Sequence, residues 1–288
     1  MTSFDVIATL RKILKLKRIG HTGTLDRAAE GLLVVCAGKS TRLVRYLVEK
    51  DKRYTGIVKF GITTDSCDRE GTVIERKSTG GITETMIREA VASFTGRIMQ
   101  TPPEYSAIKI AGRRASDIAR RGEAVEMKER PVEIYAIETV AVDMDAAAVT
   151  IDVKCSKGTY IRALARDIGR RLGCGAYLAG LTRIECGDFL LHDAVSPDEL
   201  ALAIESGSSM KKFCFPSSVV IGDFLRLVLD DAGSKRVRHG AFFLRENIVE
   251  GSVDSPGVYA IADPSKNIIA IAEIEIDDWL VKYRNVFN

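Results

Sequence analysis

Apolar positions recur at helical spacing in several parts of the chain. Near the N-terminus, the stripe from Ile7 to Leu14 predicts a helix that Thr2 or Ser3 can cap. The same spacing predicts further helices within residues 40–50, 83–94, 159–172 and 196–208. Thr159 is expected to cap the third of these.

Alternating apolar positions predict the strands. Tyr54, Val58 and Phe60 share one face of a strand, and the segment from Val149 to Cys155 alternates in the same way. The apolar run from Gly31 to Gly38 predicts a short buried strand. Because strands and helices mix without strict β-α-β order, the sequence predicts an α+β fold with a mixed β-sheet flanked by helices.

The pattern changes after Pro216, where short apolar runs joined by turn residues replace the longer elements. We therefore expect two domains, a larger one in residues 1–216 and a small β-rich one in residues 217–288.

Charge is unevenly distributed, although the formal net charge of the 288-residue chain is only +3. Residues 1–60 carry 13 Lys or Arg against 5 Asp or Glu, and residues 154–183 carry 7 against 1. If these segments meet in the folded chain, they form the positive surface that is typical of nucleic-acid-binding proteins. Solvated helix faces explain the same charges equally well, so charge alone leaves both interpretations open.

Several kinds of site are not indicated by the sequence. The G-x-x-x-x-G-K-S/T and H-E-x-x-H motifs are absent, and the six cysteines include no C-x-x-C pair. We therefore expect no nucleotide cofactor and no metal. No run of about 18 apolar residues and no secretion signal occur. We expect no membrane contact, and scattered thiols favour the reducing cytoplasm.

The segment RIGHTGTLDRAAEG places His21 and Asp26 five residues apart on a glycine-bearing loop. Each polar residue has an ordinary explanation when it is taken alone. A loop aspartate usually caps a helix or forms a turn, and a loop histidine is usually a structural hydrogen-bonding group. Likewise, Tyr54 is explained as a core residue of a strand and Arg162 as a solvated helix charge.

Five motifs occur in an order that resembles one known family. They are GHTGTLD, DKRYTGIVKFG, TDSCDREG, QTPPEYSAIK and CSKGTYIRALARDIGRRLGCGAYLAGLTR. Their order and spacing, from the N-terminus to about residue 195, resemble the TruB family of tRNA pseudouridine synthases. Residues 217–288 resemble the PUA-type RNA-binding domain that often ends such chains.

The resemblance implies an isomerase that needs neither cofactor nor metal. Such an enzyme converts a uridine at position 55, in the T loop of tRNA, to pseudouridine by rejoining the uracil to the ribose through C5. By resemblance, Asp26 attacks the ribose C1′ or helps to remove the C2′ proton. Arg162 would pair with Asp26, and Tyr54 would stack on the target base and help to remove the C5 proton.

The resemblance also implies contacts with RNA. The target base must be flipped out of its loop, and His21 is expected to stack in the gap that it leaves. Leu181 would form an apolar wall of the pocket. The other residues expected at the RNA are Gly23, Thr24, Lys52, Asp65 and Tyr160.

Three features depart from the family pattern. A strand and a Lys-Pro-x-Gly loop usually precede the motif MTSFD, so either the start is misassigned or an edge strand is missing. Arg27 follows Asp26 where the family usually has proline, and Ala115 and Ser116 stand where an aromatic residue is usual.

Three functions from different classes are compatible with the sequence. The favoured one is a cytoplasmic, monomeric enzyme that acts on the tRNA T stem-loop without a protein partner. A guide-RNA-dependent pseudouridine synthase of ribosomal RNA is the second, and a tRNA-folding chaperone with weak catalysis is the third. Retention of Asp26, Tyr54 and Arg162 argues against the chaperone, and the segment GITETMIREAVASFTGRIMQTPPEYSAIK favours the stand-alone tRNA enzyme.

Overall fold

The computed structural model describes residues 1–222 and 224–287. Its α-helices are α1 (Ser3–Leu14), α2 (Val44–Val48), α3 (Glu84–Ala92), α4 (Ala115–Ala119), α5 (Ile161–Arg171), α6 (Pro197–Glu205), α7 (Ser217–Val220) and α8 (Asp231–Arg238). Its strands are β1 (Ile19–His21), β2 (Ala29–Gly31), β3 (Val35–Ala37), β4 (Lys52–Phe60), β5 (Ile62–Thr64), β6 (Val73–Arg76), β7 (Gly96–Gln100), β8 (Lys109–Ile110), β9 (Arg113–Arg114), β10 (Arg130–Asp143), β11 (Ala148–Cys155), β12 (Ala176–Cys186), β13 (Phe189–Leu190), β14 (Leu225–Leu229), β15 (Ile248–Glu250), β16 (Gly257–Ala262), β17 (Ile268–Glu275) and β18 (Leu280–Val286). Mixed sheets with flanking helices confirm the predicted α+β class.

The largest sheet contains β13, β12, β4, β11, β10 and β7 in this spatial order, and β2 joins it by pairing in parallel with β12. The predicted strand faces are confirmed, because Val58, Phe60, Ile151 and Val153 are all buried in one core. Helices α3 and α5 pack on this face. The sheet therefore provides a rigid support for the loops at its edges.

The chain divides into two compact units, which are interleaved in sequence. The first contains Met1–Val6, Gly23–Val34 and Val48–Ala194, and the second contains Ile7–Thr22, Val35–Leu47 and Val195–Asn288. The large sheet lies in the first unit. The boundary at residue 216, which the sequence suggests, stays a prediction.

The second unit contains a five-stranded sheet in the order β15, β14, β16, β17 and β18, and also the antiparallel pair of β1 and β3. This unit has a separate core that includes Leu227, Phe243, Tyr259 and Ile261. This sheet lies within the segment for which short strands and turns are predicted.

Two local predictions are wrong in detail. The run from Gly31 to Gly38 is not one strand, because its two ends pair with different partners, β2 with β12 and β3 with β1. Thr159 does not cap α5. Its hydroxyl donates to Ser156 O at 2.9 Å, and Tyr160 is the N-cap residue.

Candidate active site

A bidentate ion pair joins Asp26 to Arg162. The Arg162 Nε donates to Asp26 Oδ2 at 2.8 Å, and its Nη2 donates to Asp26 Oδ1 at 2.9 Å. The Arg162 side chain is 5% exposed, whereas the Asp26 side chain is 39% exposed. The pair therefore holds a carboxylate in a fixed orientation with one side open to a reactant.

The start of α5 determines where Arg162 points. The chain enters the helix through Gly158, whose φ of +78° suits glycine. Gln100, at the end of β7, accepts from Tyr160 N at 2.9 Å and donates to Tyr160 O at 3.1 Å. Because the apolar face of α5 is buried against the sheet, the rotation of the helix is fixed and Arg162 faces Asp26.

Arg162 is also bound to two other loops. Its Nη1 donates to Ser66 O at 3.1 Å, and its Nη2 donates to Tyr105 O at 3.0 Å. Asp68 Oδ2 lies 3.5 Å from Arg162 Nη1. The guanidinium therefore connects three segments of the first unit that are distant in sequence.

Asp68 is a site residue that the sequence analysis missed. Its side chain is 11% exposed, and its Oδ1 accepts from Ser66 Oγ at 2.6 Å and from Glu70 N at 3.0 Å. The signal was present, since the turn-rich motif TDSCDREG contains two aspartates, Asp65 and Asp68.

The pKa of Asp26 is higher than the ordinary value of 3.8. Burial of the carboxylate raises the pKa, and this effect outweighs the charge and hydrogen bonds of Arg162, which lower it. The carboxylate of Asp68 raises the pKa further. The ionised form of Asp26 is therefore a stronger base than an ordinary aspartate, and it takes up a proton at less acidic pH.

A small, open cleft lies beside this pair. Its lining includes the charged residues Asp26, Asp68 and Arg162 and the apolar residues Ala29, Leu178 and Leu181. Leu181 lies on β12 between Gly56 of β4 and Ala29 of β2. The structure thus places the predicted apolar wall and the predicted ion pair in the same cleft.

Tyr54 lies on β4 directly opposite Arg183 of β12. Burial raises the pKa of Tyr54 to about 12, although the positive charge of Arg183 opposes this shift. The phenol therefore keeps its proton at neutral pH.

Arg183 is 2% exposed, and its Nε donates to Leu32 O at 2.7 Å and its Nη2 to Gly23 O at 3.2 Å. Sequence reasoning missed Arg183, although it ends the last motif.

Asp65 and Tyr160 make contacts of their own within the first unit. Asp65 Oδ1 accepts from Thr72 N at 2.8 Å, and its Oδ2 accepts from the Tyr105 hydroxyl at 3.3 Å. The guanidinium carbon of Arg130 lies 4.9 Å from the centroid of the Tyr160 ring. Their contacts with RNA stay predictions.

Lys52 is not placed as the resemblance implies. Its side chain is buried, with 8% of the residue exposed, and its Nζ donates to Val48 O at 2.6 Å and to Lys50 O. Burial lowers the pKa of Lys52. An ammonium that is already bound to carbonyl groups at the end of α2 is poorly placed to hold RNA, so this placement argues against the predicted contact.

His21 and Thr24 lie in different units. His21 belongs to the second unit, where it is half-buried on β1 opposite Val35. Thr24 belongs to the first unit and is exposed. This arrangement does not test their proposed contacts with RNA, which stay predictions.

Within residues 1–222 and 224–287, no group of three or more His, Cys, Asp or Glu side chains is arranged to hold a metal ion. None of the helices in that part of the chain is both long enough and apolar enough to span a membrane.

Comparison with known proteins gives two matches to family models. Residues 11–161 match the N-terminal domain of the TruB family of pseudouridylate synthases. Residues 162–219 match the C-terminal domain of tRNA pseudouridylate synthase B. The two matches are contiguous and together include Asp26, Tyr54 and Arg162.

Named relatives align over most of the chain. A tRNA pseudouridine synthase B of Dehalococcoides mccartyi is 38% identical over 277 residues, which cover 96% of this chain and 90% of that protein. The protein of the same name from Streptococcus pneumoniae is 40% identical over 246 residues, or 84% of each chain.

Solved structures show the same fold. A chain of the archaeal box H/ACA sRNP Nop10-Cbf5 complex covers all of this chain with a TM-score of 0.74, at 24% identity and over 82% of its own length. A chain of a Cbf5-Nop10-Gar1 complex gives a TM-score of 0.73, also at 24% identity, and is covered over 81% of its length.

Proposed function

Since this chain belongs to the TruB family of pseudouridylate synthases, we propose that it converts the uridine at position 55, in the T loop of tRNA, to pseudouridine. Family membership confirms the resemblance that the sequence motifs indicated. In the proposal, Asp26 is the nucleophile, and the target uridine is flipped out of its loop before it reacts. The observation that carries the proposal is the bidentate pair between Asp26 and Arg162 beside an open cleft.

The chemistry needs a carboxylate at the sugar. Asp26 attacks C1′ or removes the C2′ proton, and the N-glycosidic bond breaks with its electrons on the uracil. The uracil then turns and forms a bond from C5 to C1′, while the Asp26–C1′ bond breaks or, if the C2′ proton was removed, while Asp26 returns that proton to C2′. The C5 hydrogen leaves as a proton and N1 gains one, so the product is an isomer of the substrate. Arg162 keeps the carboxylate of Asp26 oriented throughout.

Tyr54 is better suited to stacking than to proton removal. Because its pKa is raised to about 12, little phenolate is present at neutral pH to accept the C5 proton. Its ring packs against the core of the first unit, which would support a flipped base.

RNA binding in this proposal involves both units. His21 would stack in the gap that the flipped base leaves, since aromatic surfaces offset part of the cost of unstacking. The basic segments 1–60 and 154–183 would hold phosphates. The five-stranded sheet of the second unit would act as a PUA-like domain that contacts tRNA beyond the T loop.

We further propose a cytoplasmic enzyme that is monomeric and needs neither guide RNA nor protein partner. The named relatives at 38–40% identity are tRNA pseudouridine synthases. The structural neighbours in Cbf5 complexes are 24% identical, and at that level the likeness extends to the fold alone.

The test is tritium release from C5-labelled uridine, which occurs only when C5 loses its hydrogen. Three RNAs are compared without any guide: a T stem-loop, a duplex of matching sequence, and a T stem-loop whose loop is mutated to disrupt its fold. We expect release from the first RNA alone, and a moderate reduction with His21→Ala. Equal release from all three RNAs would contradict base flipping from a folded loop, and no release from any would contradict the proposed isomerisation.

A further inference from the structure

One buried side chain contacts both ends of the segment that carries Asp26. We call residues 23–32 the Asp26 segment. Arg183 donates from Nη2 to Gly23 O at 3.2 Å and from Nε to Leu32 O at 2.7 Å. The Arg183 carbonyl also accepts from Leu32 N at 2.8 Å. A single residue of β12 therefore closes this segment into a loop.

We propose that Arg183 is a positioning residue, which clamps the Asp26 segment so that the carboxylate lies between Arg162 and the ribose of the substrate. The inference rests on the proposed function, because it takes Asp26 as the nucleophile. The two buried arginines have different roles in placing Asp26. Arg162 orients the carboxylate itself, and Arg183 fixes the backbone on which the carboxylate is carried.

The backbone around the clamp is closely packed. Arg183 lies opposite Gly31 in the parallel pair of β2 and β12. A Cβ at residue 31 would lie 2.4 Å from Arg183 O, and the φ of Gly31 is +97°. Glycine at this position lets the Asp26 segment approach β12 closely enough for both hydrogen bonds to Leu32.

The same arginine also faces Tyr54. Arg183 and Tyr54 are register partners across β12 and β4, and the positive charge of Arg183 opposes the rise in the pKa of Tyr54. The residue that clamps the nucleophile's backbone is therefore the strand neighbour of the ring proposed to stack on the base. A lysine has no planar fork of donors, so it cannot hold the carbonyls of Gly23 and Leu32 in the same way.

The burial of Arg183 supports a dedicated role for its two hydrogen bonds to the Asp26 segment. A guanidinium that is 2% exposed loses nearly all its water, which is costly unless its donors are satisfied by the protein. Here the replacement acceptors are two backbone carbonyls, one at each end of the Asp26 segment. A misplacement of about 1 Å at a reacting group can reduce a rate by about 100-fold.

The test uses the full-length protein with Arg183→Met, Arg183→Lys and a control, Arg88→Met. Arg88 lies on α3, outside the basic segments 1–60 and 154–183, and donates to Glu84 Oε1 from Nε at 2.8 Å and from Nη2 at 2.6 Å. The control therefore removes an arginine of the first unit that is bonded through two donors and has no proposed role at the RNA. Three quantities are measured: kcat and Kd on the T stem-loop, and hydrogen exchange of backbone amides.

We expect Arg183→Met to lower kcat by about 10- to 100-fold while Kd changes less than about threefold. The amides of the Asp26 segment should exchange faster, while those of α5 keep their protection. Arg183→Lys should give intermediate values, and it replaces Arg183→Met if that variant does not fold. Arg88→Met should leave kcat, Kd and exchange in the Asp26 segment unchanged.

Wild-type kcat in folded Arg183→Met, or unchanged exchange in the Asp26 segment, would overturn the inference. The two proposals fail in distinguishable ways. If the wild-type protein releases no tritium from the T stem-loop, the proposed function is wrong, and hydrogen exchange still decides whether Arg183 clamps the segment.

Discussion

At the scale of single residues, opposing effects act on the charge of Asp26. Burial and Asp68 raise its pKa, whereas Arg162 lowers it, and the net shift is upward. A carboxyl group whose pKa is raised on folding contributes stability below its unfolded pKa and loses that contribution as pH rises through the folded pKa. The ionised Asp26 is therefore a cost to stability at neutral pH, which is typical of a functional group.

Asp26→Asn should abolish pseudouridine formation while tRNA binding stays within a few-fold of wild type. The amide keeps the shape of the side chain and loses the nucleophile. The melting temperature should not fall, because Arg162 keeps its contacts with Asp68 and Ser66 O. Tritium release, filter binding and thermal melting check these three expectations, and substantial turnover by the variant would remove Asp26 from the mechanism.

Arg162 substitutions should move the acid limb of the pH profile. Activity is expected to fall as pH decreases through the pKa of Asp26. Arg162→Gln removes the charge that lowers this pKa, so the limb should move to higher pH and the plateau should drop.

Arg162→Lys keeps the charge and loses the bidentate geometry, so it should move the limb less and restore only part of the plateau. The measurement is kcat/KM against pH for the folded fraction of each variant. Identical profiles for wild type and Arg162→Gln would show that the ion pair does not control Asp26.

At the scale of elements, Gln100 fixes the start of α5. It is fully buried and binds both the amide and the carbonyl of Tyr160, two residues before Arg162. Gln100→Leu has a similar size and leaves both backbone groups without this partner. We expect a loss of about 1–3 kcal/mol in the free energy of unfolding and a lower kcat.

Urea unfolding and tritium release measure these two effects. Arg97→Gln is the matched control, since Arg97 lies on the same strand, β7, with its side chain 86% exposed. If Gln100→Leu unfolded at the same urea concentration as the control, the anchoring of α5 by Gln100 would be refuted.

At the scale of the whole molecule, the uneven charge predicts salt-dependent binding. Each phosphate that the protein neutralises releases counterions, so Kd rises steeply with salt. For about four phosphate contacts, we expect Kd for tRNA to rise about 100-fold between roughly 50 and 200 mM salt. The kcat at saturating tRNA should change little by comparison. A Kd that is flat over this range would contradict the proposed basic surface.

The division into two units also predicts the effect of deleting the C-terminal residues 217–288. Ile7–Thr22 and Val35–Leu47 belong to the same unit as the C-terminal sheet. Within it, Asn285 Nδ2 donates to the Tyr46 hydroxyl at 3.2 Å, and the rings of Tyr46 and Phe224 lie 5.3 Å apart. Removing residues 217–288 would therefore take packing partners away from the N-terminal segments as well.

The sequence by itself determined most of the predicted helices and strand faces, although the strand from Gly31 to Gly38 and the cap of α5 were predicted wrongly. Helical and strand periodicities mark which residues are buried. These periodicities can be recognised from the spacing of apolar residues over a few neighbouring positions. Val58 and Phe60 were predictable for this reason. The motifs likewise singled out Asp26 and Arg162, although these residues are 136 positions apart.

Only the tertiary structure decided which distant groups meet and what each contact does. Asp68 and Arg183 became site residues because their partners lie on other segments, and Lys52 became a buried residue bound to carbonyl groups. Likewise, the direction of the pKa shift of Asp26 follows from a balance between burial and nearby charges. Burial, charge pairing and long-range hydrogen bonds depend on distances in space, which local spacing along the chain does not encode.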